Sequence, residues 1–410
     1  MKYIIYLIYP LMAGVLFWGA KTAKRGEWNE EAFSLRQTKA LQGFFAICIM
    51  LHHIGQKTCA SWLSPWLIMP GLELFVPYGY YFVGIFLFCS GYGLYVSYKK
   101  KPNYLKGFGR RKVLPLVIAF YVTGLIFLLV RILLKEPLNA WKVFCYASGL
   151  QLSDPNAWFM IALPFFYLFF WISFRFCKKE GTAAACLSLF IFGYVLLGTL
   201  IDHNDYWMRG EWWYNSAHFF VIGVLLGMHE ERIKAHFRKH YVIYLVLFTI
   251  GVLALDLVST YAQGVFSYYG ETWGAPDKVF RRWVTLLTQV LASCAFVFWV
   301  FLLGMKIRIG NRFLYFMGTI TMEFYLIHGL FLGLFSYDFD GVARSLYYLK
   351  NVPLLVLLTF VPSLPASLLI QKLDHLILGL FTKKTPSDAS AAVPLGNAPS
   401  QSDDNMTKEG

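Results

Sequence analysis

The chain has 410 residues, of which 58% are hydrophobic and 19% aromatic, and its formal net charge is +14. Apolar content on this scale excludes an ordinary soluble globular domain. The charge alone would suit nucleic-acid binding, but most lysines and arginines lie between the apolar runs, as they do in membrane proteins. We therefore predict no nucleic-acid partner.

Apolar runs long enough to cross a bilayer recur along the chain. About twenty residues cross the hydrocarbon as a helix, and these runs lack the period-two alternation of membrane strands. The predicted fold class is all-α, a polytopic transmembrane helical bundle of about eleven spans. The spans are predicted near residues 3–20, 40–54, 80–98, 113–133, 157–174, 183–201, 216–228, 241–258, 284–305, 314–335 and 352–373.

The basic residues predict how this bundle is oriented. When the loop after the first span is placed inside, most lysines and arginines fall on the inner side, which is the positive-inside bias. We therefore expect a multi-pass cell-membrane protein with its N-terminus outside and its C-terminus in the cytoplasm. The predicted parts are an anchor helix with a cytoplasmic linker (1–34), a membrane domain (35–375) and a disordered cytoplasmic tail (376–410) rich in Pro, Ser and Ala.

The second span, KALQGFFAICIMLHH, ends in two adjacent histidines. At 100° per residue, Gln42 and His53 lie within about 20° of each other, and Lys39 lies near the same stripe. His52 points about 100° away, towards an apolar face. Because a titratable side chain in lipid is costly, His53 is a candidate catalytic base, with Gln42 roughly 16 Å below it. The alternative is that both histidines only mark the membrane interface.

The third span and the segment after it carry the next candidates. Ser90 lies among glycines that allow close helix approach, so packing is the simpler role for it. The segment 99–112 has seven basic residues and no acidic ones. Arg110, Arg111 and Lys112 at its end can anchor the protein at anionic headgroups or bind the phosphates of a nucleotide thioester. The residues alone leave both roles open.

Two outer loops, 202–215 and 260–278, combine aromatic rings with carboxylates, amides and glycine. Rings pack on the C–H faces of sugars while polar groups bind hydroxyls, although Trp and Tyr are also enriched at membrane interfaces. The candidate acceptor-binding residues in the first loop are Asp202, Asp205, Glu211 and Trp212. Tyr325 and His328, in the run FYLIHGL of the tenth span, are further candidates, and a packing hydrogen bond is the alternative role for His328.

The seven cysteines predict no metal site. They are scattered singly, with no CxxC pair and no histidine spacing suited to zinc. Cys59 and Cys145 both fall in predicted outer loops, where a disulfide between them is possible. We expect neither a metal nor a permanently bound cofactor.

The order of these motifs resembles the acyltransferase 3 family, integral-membrane enzymes that move acyl groups onto sugars outside the cell. In that family an arginine begins a helix and a histidine follows eleven positions later, and here Gln42 and His53 hold those positions. Ser90 lies in a stretch similar to the family's glycine–aromatic–Ser–Gly motif. Lys112 stands where a basic run usually ends in arginine, and His328 lies in a late tyrosine–leucine–x–histidine element.

The resemblance covers about residues 35–375 and implies a ten-span acyltransferase core after the N-terminal helix. It implies transfer of an acyl group, most often acetyl, from cytoplasmic acyl-CoA to a hydroxyl of an extracytoplasmic polysaccharide or glycolipid. The expected partners are acetyl-CoA or another acyl-CoA as donor substrate, the surface glycan as acceptor, and membrane lipid. His53 would act as a base or as a covalent acyl carrier, and Lys39 could replace the charge of the missing arginine.

The same resemblance distributes the other candidates between the two substrates. The donor would contact Ser90 and the basic run, and the acceptor would contact the outer loop 202–215, Tyr325 and His328.

Two other functions stay open. A secondary transporter or flippase for a glycan or lipid would also need intramembrane His, Glu and Asp, although no matching pair of interrupted helices is evident. A non-catalytic relative is also possible, because Gln42 replaces the family's arginine.

Overall fold

The computed structural model describes residues 4–206, 208–266, 277–339, 341 and 343–381. Part of the second aromatic loop (267–276) and most of the predicted tail (382–410) therefore lie outside the described residues. The described chain is mostly helical and has almost no sheet, which confirms the predicted helical class.

The α-helices of the described residues are α1 (Ile8–Phe17), α2 (Leu35–Thr58), α3 (Gly79–Lys100), α4 (Leu114–Leu133), α5 (Ala140–Ser148), α6 (Trp158–Phe176), α7 (Glu180–Leu200), α8 (His218–Lys239), α9 (Tyr241–Phe266), α10 (Lys278–Gly304), α11 (Arg312–Thr319), α12 (Thr321–Phe335) and α13 (Val352–Phe381). Two short strands, β1 (Lys21–Thr22) and β2 (Ile307–Arg308), pair antiparallel. Lys21 lies opposite Arg308 in that ladder. It ties the segment after α1 to the turn after α10.

Seven helical segments of the described chain are long and apolar enough to cross a membrane, and the bent pair α11–α12 makes up to eight. The protein is therefore a multi-pass membrane protein, but the predicted number of eleven spans is not confirmed. The helices outside the seven depart from a simple apolar span. Helix α1 has only ten residues, α2 carries many polar side chains, and α8 changes direction at His229, where φ is −125°. The axes of α11 and α12 differ by 82°.

Small residues bring the central helices into backbone contact. A Cβ atom added to Gly43 on α2 would overlap the Leu314 carbonyl oxygen on α11, and one added to Gly318 would overlap the Lys39 carbonyl oxygen. Gly91 on α3 and the facing residue Gly223 on α8 make the same kind of crossing. In lipid there is no hydrophobic force that drives helices together, so close packing at small residues takes its place. The α2–α11 crossing fixes the direction in which α2 presents its histidines.

A buried ion cluster organises the connection between α4 and α6. Arg131, fully buried at the end of α4, donates to Glu136 Oε2 at 2.8 Å and to the Ser153 carbonyl at 2.8 Å. Lys142 on α5 reaches the other carboxylate oxygen of Glu136 at 2.8 Å. Burial alone would raise the pKa of Glu136, but the hydrogen bonds from Lys142 and Arg131 lower it below its ordinary value. The cluster holds residues 153–158 in place.

Candidate active site

A cavity of about 940 Å³ lies where the loops after α2, α5, α7 and α12 meet, at one end of the bundle. Its walls combine rings with polar groups, which is typical of ligand sites. The lining residues that bear on function are His52, His53, Asn156, Trp158, Arg209, Trp212 and Tyr325. The second span therefore ends in a cavity, as the interpretation of His53 as a catalytic group requires.

His53 contacts His328 directly across the α2–α12 interface. The His53 Nδ1 and His328 Nε2 atoms are 2.7 Å apart, and the two rings are nearly parallel. His328 Nδ1 lies 2.9 Å from the Phe324 carbonyl oxygen, which can only accept, so His328 carries its proton on Nδ1. Neutral His328 then accepts at Nε2 from the Nδ1–H of His53. This network leaves the lone pair of His53 on Nε2, the nitrogen available for proton transfer.

His52 has a different set of neighbours. Its Nδ1 donates to the Phe75 carbonyl oxygen at 2.9 Å, and its ring packs so closely on Gly79 that a Cβ there would overlap Nε2. Beneath it on the same face of α2, Phe45 and Cys48 are buried in the protein core. The face of α2 that carries His52 is therefore a packing face, although the His52 ring also reaches the cavity wall.

Tyr325 lines the cavity between the histidine pair and the loop before α6. Its hydroxyl donates to the Asn156 carbonyl oxygen at 2.5 Å, and its ring centroid lies 6.5 Å from that of His53. The backbone contact occupies the hydroxyl proton, so Tyr325 presents mainly its ring to the cavity.

Gln42 and Lys39 are not among the residues that line this cavity. Lys39 lies fourteen residues before His53, about 21 Å along a helix axis. It lies within electrostatic range of Glu323 on α12 and of Lys112. The structure therefore groups Lys39 with the basic segment at the opposite end of the bundle and separates it from His53.

The three basic residues 110–112 lie on a π-helical turn, Gly109–Val113, that leads into α4. Such turns are rare and recur at functional sites. Arg110 is exposed, and Arg111 donates to the carbonyl oxygens of Tyr104 and Lys106 at 2.5 and 2.7 Å. Ser90 is 2.8 Å from the Tyr167 hydroxyl, a contact between α3 and α6. The two bonds of Arg111 hold the π-helical turn against the residues before it, and the Ser90 contact joins α3 to α6.

Of the acidic residues predicted to contact the acceptor, two face the protein. Asp202 forms an ion pair with Lys278 at the start of α10, and Glu211 is buried and accepts from the Thr285 hydroxyl at 3.3 Å. Asp205 is exposed and does not line the cavity. Trp212 does line it, together with Arg209 from the same loop, a residue that the sequence interpretation did not single out.

The described residues offer neither a metal site nor a disulfide. Among the described residues, no group of three His, Cys, Asp or Glu side chains could hold a metal ion. All seven cysteines are free thiols, so the possible pair Cys59–Cys145 is not formed. Cys145 is instead buried in α5.

Fold and site together define a multi-pass helical membrane protein with a histidine pair, half-buried His53 and buried His328, beside an aromatic cavity. The profile of a family described as an acyltransferase domain matches residues 38–372, most of the chain. The chain therefore belongs to the acyltransferase 3 family that its motifs resemble, and it is a membrane acyltransferase. Comparison with curated proteins and with solved structures gave no match.

Proposed function

We propose that the protein transfers an acetyl group from cytoplasmic acetyl-CoA to a hydroxyl of an extracytoplasmic polysaccharide or glycolipid. The observation that carries this proposal is the His53–His328 pair at the cavity wall. Among the described residues, Nε2 of His53 has no hydrogen-bond partner, and the Phe324 carbonyl acts through His328 to leave the lone pair there. The cavity around it has the rings and polar groups that a sugar needs.

In the proposed reaction the acceptor hydroxyl gives its proton to His53 Nε2 as its oxygen attacks the thioester carbonyl carbon. The new C–O bond forms and the C–S bond breaks. The thiolate leaves and takes the proton from His53, so that enzyme and charge return to their starting state. A positioned histidine base contributes about 10²–10⁴ in rate. The same nitrogen would be the nucleophile of a covalent route, which labelled acyl-CoA without acceptor would reveal as an acyl-histidine.

We assign donor binding to the opposite end of the bundle. Lys39, Lys112 and the exposed Arg110 lie there, and guanidinium and ammonium groups bind phosphates strongly. The distance of about 21 Å from Lys39 to His53 along α2 requires an elongated donor, with its nucleotide at the basic end and its thioester at the cavity. In this arrangement Lys39 binds the donor and does not assist His53 as the catalytic base.

The proposed orientation follows from the same two ends. The basic segments, including residues 21–25 near β1, would face the cytoplasm, and the cavity would open outside. This orientation has the N-terminus outside and the C-terminus in the cytoplasm. It lets a cytoplasmic donor and an external acceptor approach one histidine from opposite sides.

The proposal is tested with purified protein in lipid nanodiscs, supplied with acetyl-CoA and a cell-envelope glycan. Free thiol should appear only when the glycan is present, and the glycan should gain one ester for each thiol released. Glycan movement across a proteoliposome without thiol release would instead identify a transporter. Protein that binds both substrates but forms no ester would be a non-catalytic relative, and either result would refute the proposal.

A further inference from the structure

The charged side chains that line the cavity differ in the partners that they have. Lys57 forms an ion pair with Asp338 at 2.6 Å and lies over the Tyr337 ring, so its charge is neutralised. Glu73 accepts from the Gly71 amide at 2.8 Å and from the Tyr6 hydroxyl at 3.4 Å. Arg209, in contrast, has no hydrogen-bond or ion-pair partner among the described residues. Among the described wall residues, Arg209 is therefore a cation without an ion-pair partner, and Glu73 is a carboxylate whose printed hydrogen bonds come from neutral donors.

The backbone beside Arg209 is held in an unusual conformation. Met208 has φ of +51°, in the left-handed region that non-glycine residues rarely occupy, and its side chain is buried. Such conformations persist only where the surrounding structure imposes them, and they concentrate at ligand sites. Because Met208 is anchored in the core, Arg209 is kept at the cavity wall instead of turning out to form an ion pair on the surface.

We propose that the acceptor glycan carries an anionic group, a carboxylate or a phosphate, and that Arg209 binds it. This inference rests on the acyl transfer proposed above and specifies its acceptor. The planar guanidinium matches either anion with two parallel hydrogen bonds, and a half-buried site strengthens such bonds. Trp212 and Trp158 line the same cavity as Arg209 and provide ring faces for the sugar.

The alternative source of an anion, the phosphates of the donor, fits this position less well. The unpaired cations suited to a nucleotide lie on residues 110–112, at the end of the bundle opposite the cavity. Arg209 shares its loop with Trp212 and its cavity with His53, where the acceptor hydroxyl must lie. The anion therefore belongs to the molecule that receives the acyl group.

The test is direct binding to the full-length protein in nanodiscs without donor. The probes are an oligogalacturonate, the same oligosaccharide with its carboxyl groups reduced, and a glycerol-phosphate oligomer. The parent should bind at least one anionic probe about tenfold or more tighter than the reduced one, with affinity that falls as salt is raised. The anionic probe that binds more tightly identifies carboxylate or phosphate as the group recognised.

Arg209→Gln should lose about ten- to a hundredfold in affinity for the anionic probe and little for the reduced one. Arg209→Lys should retain part of the preference, which separates lost charge from a misfolded loop. Arg281→Gln is the matched control, because Arg281 pairs with Asp277 at the same end of the bundle and does not line the cavity. It should bind as the parent does.

The inference is overturned if the parent shows no preference for either anionic probe, or if Arg209→Gln keeps the preference. Failure of the proposed function would look different. A parent protein that prefers the anionic probe through Arg209 but never releases thiol from acetyl-CoA would refute acyl transfer and leave the anion site standing.

Discussion

Replacing Glu136 by Gln should destabilise the protein by about 3–5 kcal/mol, the range for breaking a buried ion pair by removing one partner. The Glu136 carboxylate is fully buried and lies 2.8 Å from both the Arg131 guanidinium and the Lys142 ammonium. Gln is close in size, so the change removes charge without opening a cavity. Because Arg131 also donates to the Ser153 carbonyl, the variant should also loosen the segment before α6 that lines the active-site cavity.

The effect should depend on pH in one direction. Since hydrogen bonds lower the pKa of Glu136 in the folded protein, its stabilisation is complete above the ordinary glutamate value near 4.5. The stabilisation is lost as the pH falls through the lower pKa of the folded state. The difference in unfolding free energy between parent and Glu136→Gln should therefore be constant near neutral pH and shrink towards zero in acid.

Equilibrium unfolding in mixed micelles measures this difference across the pH range. The matched control is Glu31→Gln, because Glu31 pairs with Arg308 in a largely exposed bridge. An exposed pair contributes about 0–1 kcal/mol. If Glu136→Gln costs no more than Glu31→Gln, or if its cost grows in acid, the structural account of this cluster is wrong.

Three further predictions concern the donor, the packing and the topology. The double variant Arg110→Ala, Lys112→Ala should raise the KM for acyl-CoA about five- to 150-fold, whereas alanines at residues 178–179, a basic pair elsewhere in the chain, should not. Equal effects in steady-state kinetics would reduce residues 110–112 to a membrane anchor. Gly43→Ala should lower the unfolding temperature by forcing α2 away from α11, and an unchanged temperature would contradict the close crossing. A phosphatase fused after Pro386 should be inactive in cells, since the tail is expected in the cytoplasm, and activity there would invert the topology.

Local features of the sequence were enough to predict the helical class and the separation of the two histidines. The 100° between His52 and His53 follows from helix geometry alone, and the two rings do contact different elements. Apolar length likewise identified the long spans. Helix α8 extends to Lys239, beyond the predicted span of 216–228, because polar residues continue the helix past the change of direction at His229 and apolar length does not predict a helix made of polar residues.

The partners within the site could not be predicted, because they are distant in sequence. His53 and His328 are 275 residues apart, and no periodicity relates α2 to α12. The acidic residues of the loop 202–215 looked suited to a sugar, but Asp202 pairs with Lys278 and Glu211 is buried against α10. A carboxylate that is removed from water must pair with a cation or accept a hydrogen bond, and the sequence does not show which residue will be its partner. Arg209 was not predicted either, because its position at the cavity depends on contacts between residues distant in sequence.

The assignment of His53 as the base is tested most directly by glycan-dependent thiol release from acetyl-CoA in His53→Ala and His52→Ala, measured side by side in nanodiscs. His53→Ala should lose about 10²–10⁴ in rate while it still inserts and binds donor. His52→Ala should keep most of the parent's rate, because His52 donates to a backbone carbonyl on the packing face of α2. Turnover by His53→Ala at the parent's rate, or a loss confined to His52→Ala, would contradict the account at its centre.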